Sequence, residues 1–235
     1  MSFLLEMIGD ALERIVDGET VLLSTIGRTL VLAFVSTAIA LAVGVPIALW
    51  LTERSTRARR GGLVVANAGL GLPPVVLGVY LALLLLPASL LGGLEWTYTL
   101  KAVILAQTLL ALPIVVALTA SALRGLPPGL LLQAAAFGAS RIEMSLLALR
   151  EARIGIVAAI ITALGSALAE VGAVVIVGGN SRGQTNTLAS TVLLDLAAGD
   201  PAGATANVIV LLALMLVLGL TLTVAQQRLR PRARR

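Results

Sequence analysis

Two ionisable side chains, Arg28 and Glu170, lie inside long apolar stretches of this 235-residue chain and are its first candidates for chemistry. A lone charge at the centre of a membrane-spanning helix costs about 3 kcal/mol on insertion scales, so each needs a partner or a task. Both sit about eight residues from the same end of their stretches, which at roughly 1.5 Å per residue places them at similar depths. The first expectation is therefore a buried pair that positions two helices, or an arginine that snorkels outward. The functional alternative has Arg28 drawing a doubly negative anion along a pathway, with Glu170 tempering the attraction so that release stays possible. Enzyme chemistry lacks its parts: the chain has no histidine and no cysteine, and its sole lysine, Lys101, has no obvious serine mate.

Three further segments carry polar or conformational signals. Pro73 and Pro74 interrupt an apolar run and remove backbone donors, leaving carbonyls to be satisfied by protein or along a cavity. Gly69, Gly71 and Gly78 around them permit close approach of another helix, which favours a pathway-lining role over a packed kink. Residues 178–186, with Asn180, Ser181 and Arg182, form a polar glycine-rich stretch that reads either as a flexible turn or as a set of donors for an anion at an entrance. Residues 124–153 break at Gly125-Leu126-Pro127-Pro128-Gly129 and then predict a short apolar helix over 130–137, stopped by Gly138. Ser140-Arg141-Ile142-Glu143 reads as a capping box that starts a second helix. The apolar side chains of this pair need a cover, supplied by the chain's own helices or by a docking partner.

The elements that must position these residues follow from composition. Hydrophobic residues make up 58% of the chain and charged residues 12%, about half the charge of an ordinary soluble domain. Apolar runs at 21–51, 63–86, 102–123, 154–177 and 206–225 are long enough to cross a hydrocarbon core of about 30 Å. These predict an all-α polytopic protein with five spans in which Pro46 and Pro113 can kink their helices. Residues 187–198 predict an apolar helix too short to span, packed at the outer mouth.

Basic residues fall between the runs, which points to a lipid bilayer and away from nucleic acid. Arg54, Arg57, Arg59 and Arg60, then Arg124, Arg141, Arg150 and Arg153, then Arg228, Arg230, Arg232, Arg234 and Arg235 share one side. The positive-inside rule places that side in the cytoplasm, with the amino terminus outside. Residues 1–17 carry Glu6, Asp10, Glu13 and Asp17 where a signal peptide has a basic segment, so they are expected to be retained, and residues 1–19 to form an outer amphipathic helix. Residues 20–226 form one transmembrane domain, and residues 227–235 a basic cytoplasmic tail.

Ala134, Ala135, Gly138, Ala139 and Ser140 resemble the loop by which permease subunits of ATP-binding cassette importers dock on their ATPase. The segments Leu70-Gly71-Leu72-Pro73-Pro74-Val75-Val76, Ala106-Gln107-Thr108-Leu109-Leu110-Ala111-Leu112-Pro113 and Glu170-Val171-Gly172-Ala173, running on to Val177-Gly178-Gly179-Asn180, resemble tungstate-type permeases, relatives of the molybdate and sulfate permeases. Leu132 stands where the general loop pattern has a glutamate, and Arg150-Glu151-Ala152-Arg153 is closer to the tungstate-type group than to the molybdate type.

The resemblance implies a type I importer permease fold in a prokaryotic cytoplasmic membrane, working as a homodimer. It implies two ATPase subunits, which use ATP and magnesium and push on the loop at Ala134, Ala135, Gly138, Ala139, Ser140, Arg141 and Glu143, and an extracytoplasmic binding protein that delivers the ligand. The chain itself is expected to bind no cofactor and to hydrolyse nothing. Tungstate is the expected cargo, with molybdate or sulfate as alternatives. An ATP-independent secondary anion carrier is the alternative from another class.

Overall fold

A computed structural model of the chain describes residues 2–18, 20–53 and 56–228. Arg54, Glu19 and the tail beyond Arg228 lie outside the described residues. Eleven α-helices follow in order among them: α1 (Ser2–Val16), α2 (Thr20–Thr52), α3 (Arg57–Gly69), α4 (Pro74–Leu85), α5 (Leu100–Arg124), α6 (Leu130–Ala136), α7 (Arg141–Glu151), α8 (Arg153–Ala169), α9 (Gly172–Gly178), α10 (Leu188–Ala197) and α11 (Pro201–Arg228). A single 3-10 turn at Gly92–Leu94 stands between α4 and α5.

Three helices, α2, α5 and α11, are long and apolar enough to cross a membrane unaided. The count reaches five if each of two bent pairs is one span: α3 with α4, bent by 105°, and α7 with α8, bent by 66°. The expected second span, 63–86, is therefore not one helix. Pro73 and Pro74 end it because neither can donate to the ladder, and Pro74 instead occupies the first turn of α4, where a missing N–H costs nothing. The expected fourth span, 154–177, is also interrupted, since Glu170 is extended (φ −73°, ψ 124°) between α8 and α9. Pro46 and Pro113 by contrast lie inside the continuous helices α2 and α5.

Helix α5 is the axis of the bundle and packs against α2, α3, α4, α8 and α9. More than half of its apolar window is buried, against 6% for α11, so α11 turns most of its surface outward, toward the place where lipid would be. Small residues make the close packing possible. Helix α2 buries Ala33, Ser36, Ala40, Gly44 and Ala48 at spacings of three and four, and a Cβ on Gly44 would come within 2.8 Å of Val115 Cγ1 on α5.

The bundle has two chemically different ends. At one, Ala48, Leu51, Leu63, Val116, Leu123, Ala148 and Ala152 form a cluster that gathers the ends of α2, α3, α5, α7 and α8. There Arg59 lies 5.1 Å from the Trp50 ring and 3.5 Å from Glu53, and Gln226 Nε2 donates to Ile154 O at 3.0 Å, bringing the end of α11 to the start of α8. Arginines 57, 59, 60, 124, 141, 150, 153 and 228 thus share this end. The other end holds α1, the 3-10 turn, residues 179–187 and α10. Helix α1 is fastened to it by Arg14 Nη1 to Asp200 Oδ2 at 2.7 Å.

Candidate functional site

The stretch after α9 is ordered by its own hydrogen bonds. Asn180 takes a left-handed conformation (φ 47°), and the carbonyl of Ser181 accepts from the amides of Gln184, Thr185 and Asn186. Thr185 Oγ1 donates to Gly178 O at 2.6 Å and accepts from Ser181 N at 2.9 Å. Buried Asn186 donates to Thr191 Oγ1 at 2.7 Å, while its Oδ1 accepts from Gly183 N at 2.9 Å. Several donors that a bound anion would need are thus already used.

Arg28 is the clamp that holds this turn to α2. Its Nη1 donates to Asn186 Oδ1 at 2.7 Å and to Asn186 O at 3.0 Å, and its Nη2 to Gly183 O at 2.8 Å. The next residue, Thr29, accepts at Oγ1 from Leu188 N at 2.9 Å, which fixes the start of α10. Arg182 reaches instead to buried Asp195, Nη2 to Oδ1 at 2.7 Å, whose Oδ2 accepts from Asn207 Nδ2 at 2.9 Å. Arg28 and Glu170 are therefore not each other's partners, contrary to the expectation from depth. A guanidinium carries five donors, and three carbonyl-type oxygens of the turn take up its hydrogen bonds here.

Glu170 belongs to the break between α8 and α9. Its Oε1 accepts from Ala173 N at 2.8 Å, with the amides of Gly172 and Val171 close by. The carboxyl group thus sits at the first amides of α9, where a negative group is favoured. The two interrupted helices meet here: a Cβ on Gly172 would lie 2.7 Å from Val75 Cγ2, and one on Gly78 would lie 2.9 Å from Ala173 Cα. Pro73 and Pro74 are exposed beside this junction, and Pro73 O accepts from Val76 and Leu77 amides. The structure thus brings Glu170, Pro73 and Pro74 to one level and leaves Arg28 with Asn180, Ser181 and Arg182 at another.

At the arginine-rich end, α6 stops in a motif that uses the residues singled out above. Gly138 is left-handed (φ 85°), Gly138 N donates to Ala135 O and Ala139 N to Ala134 O, both at 3.0 Å, which pairs the last carbonyls of α6. Helix α7 begins on the next residue with the expected capping box: Glu143 N donates to Ser140 Oγ at 3.3 Å, and Ser140 N to Glu143 Oε2 at 2.7 Å. The Ser140 amide, then its hydroxyl, holds the Glu143 carboxyl below its ordinary range. Leu132, Phe137, Ile142 and Leu146 stand exposed on this helix pair, and Arg141 and Glu53 flank a cavity of about 420 Å³ between it and the ends of α2 and α5.

Four participants had little or no signal of their own. Gln107, whose Nε2 donates to Ala167 O at 3.0 Å beside the break at Glu170, is a buried amide in an apolar run, and Asn186 sits in a polar stretch where nothing marks it from its neighbours. Asp195 and Asn207 meet only because α10 and α11 fold together.

The comparisons agree with this architecture. Residues 40–235 match the family described as binding-protein-dependent transport system inner membrane component. A probable anion ABC transporter permease from Haloferax volcanii is 36% identical over 199 residues, covering 83% of this chain and 86% of the relative. The tungstate uptake system permease TupB of Peptoclostridium acidaminophilum is 29% identical over 212 residues, covering 90% and 93%. Among solved structures, an inward-facing MetNI methionine transporter superposes with a TM-score of 0.76 at 20% identity, over 91% of this chain and 98% of that one. A three-long-helix bundle with two bent pairs, a capped helix pair at its arginine-rich end and a family match over most of its length together place this chain in the binding-protein-dependent inner membrane components, as a multi-pass permease subunit of the type I ABC importer fold.

Proposed function

We propose that the chain forms, as a homodimer, the membrane pathway of an ATP-driven importer for a tetrahedral oxyanion, tungstate in the first place. The observation that carries the importer reading is the pair α6–α7, capped at both facing ends and presenting Leu132, Phe137 and Ile142 to a partner. Two ATPase subunits, using ATP and magnesium, push there, and α8 continues directly from α7 into the bundle. The arginines of that end set it in the cytoplasm, the amino terminus outside, and an external binding protein meets the end that carries α1 and residues 179–187. Resemblance to tungstate, molybdate and anion permeases supports the cargo class.

Arg28 acts in this reading through the outer turn it clamps, keeping the receiving surface in shape. Glu170, Pro73 and Pro74 stand where a gate between outward and inward states would lie. The test is uptake by proteoliposomes that contain the chain, its ATPase and its binding protein, with the three oxyanions followed by mass spectrometry. ATP-dependent tungstate accumulation, with calorimetric preference of the binding protein for tungstate, is expected. Preference for sulfate would overturn the cargo, and uptake that survives without ATP and ATPase would overturn the importer.

A further inference from the structure

A helix that stops inside a bundle leaves donors on one side of the break and acceptors on the other. At the break after α8, Glu170 serves the donors. In an unbroken helix the amide of Val171 would bond the carbonyl of Ala167, but extended Glu170 breaks the ladder before that bond can form. Ala167 O receives its bond from elsewhere: Gln107 Nε2, carried by α5, donates to it at 3.0 Å. Gln107 is 2% exposed, and its Oε1 lies 3.3 Å from Ser36 Oγ of α2. Ala167 O can only accept, so the Gln107 amide has one usable orientation.

This contact belongs to no helical ladder. It can break and re-form without unwinding α5 or α8, as a joint between moving parts must. It also pins the far end of α8 to α5 and α2, while the near end of α8 continues from α7 through the 66° bend. Beyond the pin, α9 is held by the Glu170 cap and packs along α4, and Val177 O at its end accepts from Tyr98 N at 3.1 Å.

We infer that Gln107 is a positioning residue of the transport cycle, the pivot about which α8 swings when α7 is displaced, so that a push at the coupling helices becomes movement of α9 and α4. The inference rests on the importer reading. Its test uses the full importer in proteoliposomes and reads ATP hydrolysed per anion transported. Gln107→Met keeps the length and apolar volume of the side chain but cannot donate to Ala167 O. It is expected to hydrolyse ATP at close to the native rate while ATP used per anion rises about tenfold, within the range of coupling factors between linked sites. Gln107→His, which keeps an N–H, is expected to recover much of the native ratio. An unchanged ratio in Gln107→Met, or hydrolysis and transport falling together in proportion, overturns the pivot.

A second measurement does not depend on that variant assembling. The chain has no cysteine, so spin labels on introduced pairs can be read alone. The pair Ser121→Cys with Arg150→Cys is expected to change distance with nucleotide, and the pair Lys101→Cys with Ala169→Cys to stay fixed. Equal movement in both pairs overturns the pivot. Absence of ATP-driven uptake by the native assembly instead sinks the importer reading on which it rests.

Discussion

Replacing Glu170 by alanine removes the cap of α9 while leaving its apolar contacts with α4 in place. The carboxylate accepts from Ala173 N at 2.8 Å, with the amides of Gly172 and Val171 close by, and the residue is 8% exposed. A buried donor left without a partner costs about 1–3 kcal/mol, and loss of the favourable charge at a helix start adds roughly 0.3–1 kcal/mol. The two sum to roughly 1.3–4 kcal/mol, and removing the carboxylate also removes the cost of burying it, so a net loss of about 2 kcal/mol is expected. Glu170→Gln keeps one acceptor oxygen and is expected to lose about 1 kcal/mol. The assay is SDS titration in mixed micelles, following helicity by circular dichroism. A Glu170→Ala protein within about 0.5 kcal/mol of the native one would refute the capping role, because that is the scatter of an uninvolved substitution. The same assay on Arg28→Gln, Glu170→Gln and the double variant checks the separation of the two charges. Their effects are expected to add within about 0.5 kcal/mol, and a coupling well above that would restore the direct pair.

Two further outcomes follow from geometry elsewhere. Asp200 accepts from Gly203 N and from Arg14, and the Gly203 amide, then Arg14, holds its carboxyl below the ordinary range. A depressed folded value means that this support is complete above the ordinary aspartate value of about 3.9 and disappears as the pH falls through the folded value. Amide exchange of α1, corrected for intrinsic rates, should therefore be level from neutral pH down to that window and then rise, and Asp200→Asn should remove the step. Exposure of both side chains keeps the pair itself near about 0.2–1 kcal/mol. Gly78→Ala would set a Cβ 2.9 Å from the Ala173 backbone, forcing α4 and α9 apart at a cost of about 1–3 kcal/mol in the SDS titration. Gly61→Ala, with nothing within 4 Å, is the control and should not destabilise.

Some of this was legible before any coordinates. Apolar runs found α2, α5 and α11 to within a few residues, because bilayer thickness and helix rise set the length a span must have. Gly138 and the Ser140-to-Glu143 capping box were equally readable, since a helix end is decided by hydrogen bonds among residues no more than five apart. Apolar composition could not say where a run bends. It is nearly the same on both sides of Pro73 and on both sides of Glu170, so one break reads as a kink and the other leaves no mark.

The partners of the charges were the least legible part. Depth alone paired Arg28 with Glu170, yet Arg28 is held by a turn 155–158 residues away, and Glu170 by amides within three residues of itself. By itself the sequence determined which segments enter the membrane, which end gathers the arginines and where the local caps fall. Only the tertiary structure decided which buried groups meet. An orphaned carbonyl such as that of Ala167 is satisfied by whatever donor packing brings within reach, here Gln107 from 60 residues earlier, and no local pattern encodes that meeting.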